Sequence, residues 1–136
     1  MKRYMLDTSL LAAYFHNRTK AVHLMTVGVK DDEVATSILV YGEVIEYFKG
    51  LPNSEDNAAK LHKILDEIPP YPLTYPIMER YAEIHRYLRP QHIDIGDIDT
   101  LIAATSFEEN LTLVTIDHDF ERVPKLKFQL VNLKAA

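Results

Sequence analysis

The alternation of short β-rich runs with longer helical patterns constrains this chain more than any single residue does. "RYML" (3–6), "EVATS" (33–37) and "LTLVT" (111–115) are brief strand-forming runs. Around them lie segments whose apolar residues recur at helical spacing. These are "SLLAAYF" (9–15), "KAVHLMTVGV" (20–29), "ILVYGEVIEYFKG" (38–50), "SEDNAAKLHKILDEI" (54–68), "PIMERYAEIHRYLR" (76–89) and "GDIDTLIAATSFEEN" (96–110). "YPLTY" (71–75) reads as a strand weakened by proline and placed near an edge, and "KFQLVNL" (127–133) as the last strand. Such alternation predicts an α/β fold, with a central, mainly parallel sheet and helices on both faces. At 136 residues, the whole of 1–136 is expected to form one domain.

In folds of this kind ligands bind just beyond the carboxyl ends of the strands. Asp7 ends the first strand, between "YML" and "LLAA". Asp117 follows directly on "LTLVT". Glu43 lies inside the helix after "VATS", and Asp99 in the first turns of the helix before "LTLVT". Four carboxylates from four separated segments can therefore converge at one end of one sheet. Each also has a plainer reading. Asp7 would make a helix N-cap, Glu43 a salt-bridge partner or solvated flank, and Asp117 a turn residue. Asp99 would be a first-turn acid favoured by the helix dipole. Asp97 suits the cap better, and it lies about 200° from Asp99 around an ideal helix, so the two cannot face one site.

Glu43 and Asp99 sit on largely apolar faces, where an unpaired carboxylate is costly. A shared divalent cation would satisfy both. Gly42, immediately before Glu43, weakens its helix and suggests a close backbone approach there. Glu46, one turn on, either faces solvent or assists Glu43. The formal charge of −5 argues against a nucleic-acid coat protein but not against an enzyme whose acids hold cations. With no cysteine, disulfide scaffolds, cysteine zinc sites and thiol catalysis are excluded. No apolar run approaches the roughly 20 residues needed to span a bilayer, and Asp7 interrupts "MKRYML" too early for a signal peptide. A soluble, cytoplasmic protein without a membrane partner is expected.

"YMLDTSLL", "ATSILVYGEV", "IGDIDTLIAAT" and "LTLVTIDHDF" resemble, in order and spacing, the successive motifs of PIN-domain nucleases. Length and motif style look most like the VapC-type toxins of toxin–antitoxin pairs, over a span from Met5 to about Val131. The resemblance implies a PIN-like α/β/α domain whose acids fall on Asp7, Glu43, Asp99 and Asp117, with Asp119 able to share or replace the role of Asp117. Thr8 or Ser9 would be the polar group beside the first acid, and Thr115 the hydroxyl after the last strand. It further implies Mg2+- or Mn2+-dependent endonucleolytic cleavage of RNA, a cognate antitoxin that blocks the acidic groove with a basic side chain, and a homodimer.

For that dimer the candidate apolar surface is Val22, Leu24, Met25 and Val29 together with Leu39, Val40, Ile45 and Tyr47. Candidate phosphate contacts are Arg86, Arg89, Arg122, Lys125 and Lys127. Tyr14, Phe15, Tyr41 and Tyr47 are candidates for base stacking, and His118 adjoins the site without being needed for the chemistry. Two other phosphoryl chemistries fit poorly. Aspartyl-nucleophile phosphatases need a second carboxylate where Ser9 stands, and response-regulator modules need an acid pair on the first strand. A PIN fold serving only as a protein-interaction or regulatory module is the alternative, and it leaves the placement of four acids without a purpose.

Overall fold

The structure is a computed structural model that describes residues 2–133, the side chains of 26–30 excepted. β1 (Tyr4–Leu6) runs into α1 (Thr8–Phe15), and α2 (Thr19–Lys30) leads to β2 (Val34–Ser37). Next come α3 (Ile38–Lys49), α4 (Ser54–Glu67), β3 (Pro70–Tyr71) and α5 (Tyr75–Leu88). The chain closes with α6 (Asp97–Glu108), β4 (Thr112–Thr115) and β5 (Phe128–Leu130). Short 3-10 turns at Arg89–Gln91 and His118–Arg122 complete the connections. The strands form one sheet in the order β3-β2-β1-β4-β5, and every pairing is parallel.

Burial follows from this order. Met5, Ala35 and Leu113, from the three central strands, are at most 1% exposed, because a parallel sheet covered on both faces leaves no solvated side. Helix starts are set by local chemistry. The Ser37 hydroxyl accepts from Val40 N at 3.2 Å and caps α3. Thr74 caps α5, whose first turn carries Pro76 as the sequence predicts. α6 opens at Gly96, with φ at +86°, a conformation that other residues adopt only with strain.

Strand order reverses between β1 and β4, so the crevice beyond their carboxyl ends is the switch point where ligands of open α/β sheets bind. Among the described residues, no helix is long and apolar enough to cross a membrane.

Several expectations are corrected. The strand expected at 71–75 is confined to Pro70–Tyr71, because Pro72 has no N–H for the ladder and Thr74 already caps α5. The last strand is Phe128–Leu130, shorter than 127–133. A side chain at Gly42 would meet nothing within 4 Å, so no close backbone approach explains that glycine. Met25 and Val40, counted towards a surplus apolar surface, are 3% and 0% exposed and belong to the core. Val29 lies outside the described side chains.

Candidate active site

Asp7 leaves the end of β1 at the switch point, and its register places it level with Thr115. Leu6 pairs with Val114, and Asp7 N donates to the Val114 carbonyl at 3.1 Å. Across this gap the Thr115 hydroxyl donates to Asp7 Oδ2 at 2.6 Å. Asp7 Oδ1 accepts from Thr8 N at 2.7 Å, and the Ser9 hydroxyl reaches Oδ2 only at 3.4 Å. Asp7 is thus the N-cap of α1 and is also drawn towards β4. Asp7 is 5% exposed, and among the described residues no lysine or arginine is bonded to it. A cap alone does not require that burial.

Glu43 projects from the second turn of α3, and its Oε1 accepts from the Thr8 hydroxyl at 2.5 Å. Thr8 therefore ties Glu43 to the backbone turn that holds Asp7. Asp117 N donates to the Thr115 hydroxyl at 3.0 Å, and Asp117 Oδ1 accepts from Asp119 N at 2.9 Å. Thr115 thus contacts the acids after β1 and after β4. Asp99 is half-buried in the first turn of α6. Asp97 does not cap that helix. It is the first helical residue, and its Oδ1 accepts from the Tyr81 hydroxyl at 3.0 Å, while Gly96 holds the cap position. Glu46 is exposed to solvent.

The four acids act on one another. Asp99 is pushed up from the ordinary 3.8 to about 7, by burial first and then by the charges of Asp7, Glu43, Asp117 and Asp119. Burial also raises Asp7, opposed by its bonds from Thr115 and Thr8 and reinforced by Glu43 and Asp117. No cation contributes to either shift. Among the described residues, no ion pair reaches any of the four.

This donor set is entirely oxygen, which suits hard divalent cations such as Mg2+ or Mn2+. Among the described residues no group of three His, Asp or Glu side chains is gathered tightly enough to hold an ion. An ion that keeps several of its own waters does not require such closure. Asp7, Glu43, Asp99 and Asp117 are the residues that fit the role, and Asp119 stands beside them.

The other candidates separate. His118 is exposed, its Nδ1 3.0 Å from Glu121 Oε1. Lys127 bonds Asn110 Oδ1 just before β5 begins, at the opposite end of the sheet from the acids, which removes it from the phosphate contacts. Arg122 and Lys125 are exposed on the segment returning to that end. Phe15 packs edge-on to Phe48 and is not free to stack a base. Sequence reasoning missed the Thr8–Glu43 bond, which joins residues 35 apart and leaves no local signal. It also missed the Asp94–Gly96 turn, where Asp94 Oδ1 accepts from Gly96 N at 2.8 Å. The "DIG" spacing is a signal for that turn.

Known proteins resemble this chain in sequence and in fold. Ribonuclease VapC2 of Rickettsia felis is 27% identical over 125 residues, covering 90% of this chain and 93% of that protein. Ribonuclease VapC1 of Haemophilus influenzae is 26% identical over 131 residues, covering 93% and 96%. The crystal structure of VapBC2 from Rickettsia felis bound to a promoter DNA fragment superposes with a TM-score of 0.85 at 25% identity, over 95% of this chain and 98% of that one. The PIN domain family model matches residues 4–126, a span that takes in all four acids. The chain belongs to the PIN-domain family.

Proposed function

We propose that residues 1–136 form one PIN domain that cleaves RNA phosphodiester bonds endonucleolytically with Mg2+ or Mn2+, as the toxin of a toxin–antitoxin pair. The observation that carries this reading is a set of four acids from separate elements, where burial and then their mutual charge lift Asp99 to about 7 and, among the described residues, no cation pairs with any of them. Its relatives are named ribonucleases, and one solved relative is the VapBC2 pair. A hard cation bound there would lower the pKa of an attacking water and offset charge on the phosphate and leaving oxygens.

The chain's own groups supply the positioning. Thr115 and Thr8 hold the Asp7 carboxylate in one orientation. Thr8 fixes Glu43 Oε1 and leaves Oε2 to orient water. Asp119 N fixes Asp117 Oδ1 and leaves Oδ2 for the site. The antitoxin covers the acidic crevice with a basic side chain. In the homodimer, Leu39, Ile45 and Tyr47 on α3, half-buried or exposed in the single chain, contribute apolar surface. The protein acts in the cytoplasm.

Purified protein should cut structured RNA with Mg2+ or Mn2+ and stop on addition of EDTA. Equal cleavage in excess EDTA would contradict the metal mechanism. No cleavage with either ion would leave the fold as an interaction module.

A further inference from the structure

Beside the acidic crevice lies an open groove of about 610 Å3, between the end of α5 and the start of α6. That volume is typical of small-ligand sites. Its polar lining is His85, Arg89, His92, Asp94, Asp97 and Thr100, and Leu88, Ile93 and Ile95 give it an apolar floor. Among the described residues, the side chains of Arg89 and His92 have no hydrogen-bond or ion-pair partner. Asp94 and Asp97 each commit one oxygen, to Gly96 N and to the Tyr81 hydroxyl, and keep the other free. Asp97 is 73% exposed at the groove, with His85 Nε2 4.0 Å away. His92 holds φ at +57° as the left-handed C-cap of the Arg89–Gln91 turn, and it lines the groove.

Asp97 faces the groove and Asp99 the acids, on opposite flanks of one helical turn about 10 Å across. A strand whose phosphate lies at Asp99 would reach this groove by crossing that turn. We propose that the groove seats one unpaired nucleotide of the RNA next to the cleaved phosphate. Its phosphate rests on Arg89, its base packs against the imidazoles of His85 and His92, and an exocyclic amino group on the base donates to Asp94 or Asp97. Unpaired bases are recognised by stacking on histidine rings and by hydrogen bonds to their edges. A carboxylate accepts from an amino group such as cytosine N4 and has no donor to match on uracil O4. The proposal rests on the nuclease reading for the identity of its ligand.

The test is fluorescence anisotropy of labelled short oligo(C) and oligo(U) with the full chain, over a salt series, with Ca2+ present to offset the charge of the acids. Wild type is expected to bind oligo(C) about tenfold more tightly than oligo(U). Arg89→Ala should weaken both and lower the slope of log K against log salt by about 0.7. His92→Asn, which keeps a residue tolerant of positive φ, should weaken both about fivefold or more, and unchanged melting temperatures would show that both variants are folded.

Wild type that binds oligo(C) through Arg89 yet cuts no RNA with Mn2+ supports the groove and overturns the nuclease reading. Wild type that cuts RNA, while neither substitution moves affinity or salt slope, overturns the groove alone. Absence of oligonucleotide binding by wild type overturns it too. So does an Arg89→Ala protein that binds RNA normally but no longer holds a co-expressed antitoxin, which would assign the groove to a protein partner.

Discussion

The two ends of the sheet treat their carboxylates in opposite ways. Before the strands begin, acids meet cations. Lys2 pairs with Asp32, Arg3 with Glu33 at 3.3 Å, and Arg80 Nε with Glu108 at 2.9 Å. Beyond the strands' carboxyl ends, Asp7, Glu43, Asp99 and Asp117 have, among the described residues, only hydroxyls, amides and one another. The consequence shows in the proton affinities. Asp32 is lowered by its bond to Lys2 and that cation's charge, while Asp99 is raised to about 7. Paired acids at a surface hold little energy. Unpaired acids gathered in a half-buried crevice store repulsion, and only a function that recovers it explains keeping four of them together.

The largest effect should be on catalysis. Asp99→Asn should reduce RNA cleavage by about a hundredfold or more, whereas Glu33→Gln at the paired end should leave it unchanged. Loss of activity in both, with both proteins folded, would break the contrast between the ends.

The second effect is on stability against pH. Asp99 binds its proton more tightly folded than unfolded, so its contribution to the stability of the metal-free protein is fully present below about pH 4 and is lost as pH rises towards about 7. Asp32 works in the opposite sense, its contribution being present above 3.8 and lost as pH falls through its lowered value. Melting curves in EDTA should show wild type losing stability relative to Asp99→Asn as pH rises from about 4 to about 7. The same slope in both would remove Asp99 as its source.

Much of this contrast can be read in the chain. The strand–helix alternation predicts the parallel sheet, and the positions of Asp7 and Asp117 after strands predict their meeting at its carboxyl end. The pairing of β1 with β4, which no local pattern states, is what brings Thr115 onto Asp7. Apolar composition does not separate core from contact surface, and Met25 and Val40 went inside because the sheet needs cover on both faces. The groove beside α6 depends on one left-handed residue, His92, and on the Asp94–Gly96 turn. Neither belongs to an element that periodicity detects.

Smaller effects sharpen the comparison by separating stability from function at the acidic end. Gly42 faces open space on α3, so Gly42→Ala should raise stability by about 0.5–1 kcal/mol in the single chain. Thr36 is 0% exposed, and its hydroxyl has no partner among the described residues. Thr36→Val should therefore be neutral or stabilising by about 1 kcal/mol. Denaturant midpoints measure both, and cleavage rates should not change. A loss of cleavage in folded Thr36→Val would make that hydroxyl part of the site.

The most direct test of the central claim, one cation site shared by four acids, is a set of melting curves for wild type, Asp7→Asn and Asp32→Asn, each in EDTA and in Mn2+. Asn caps a helix about as well as Asp, so the substitution at Asp7 keeps an acceptor for Thr8 N while it removes the charge and replaces the oxygen that accepts from Thr115. Wild type and Asp32→Asn should both gain stability from Mn2+, by about 2.7 kcal/mol at a hundredfold excess over Kd. Asp7→Asn should lose most of that gain and should be no less stable than wild type in EDTA, where like charges repel. An equal Mn2+-induced shift in all three proteins would contradict the account and leave Asp7 a helix cap.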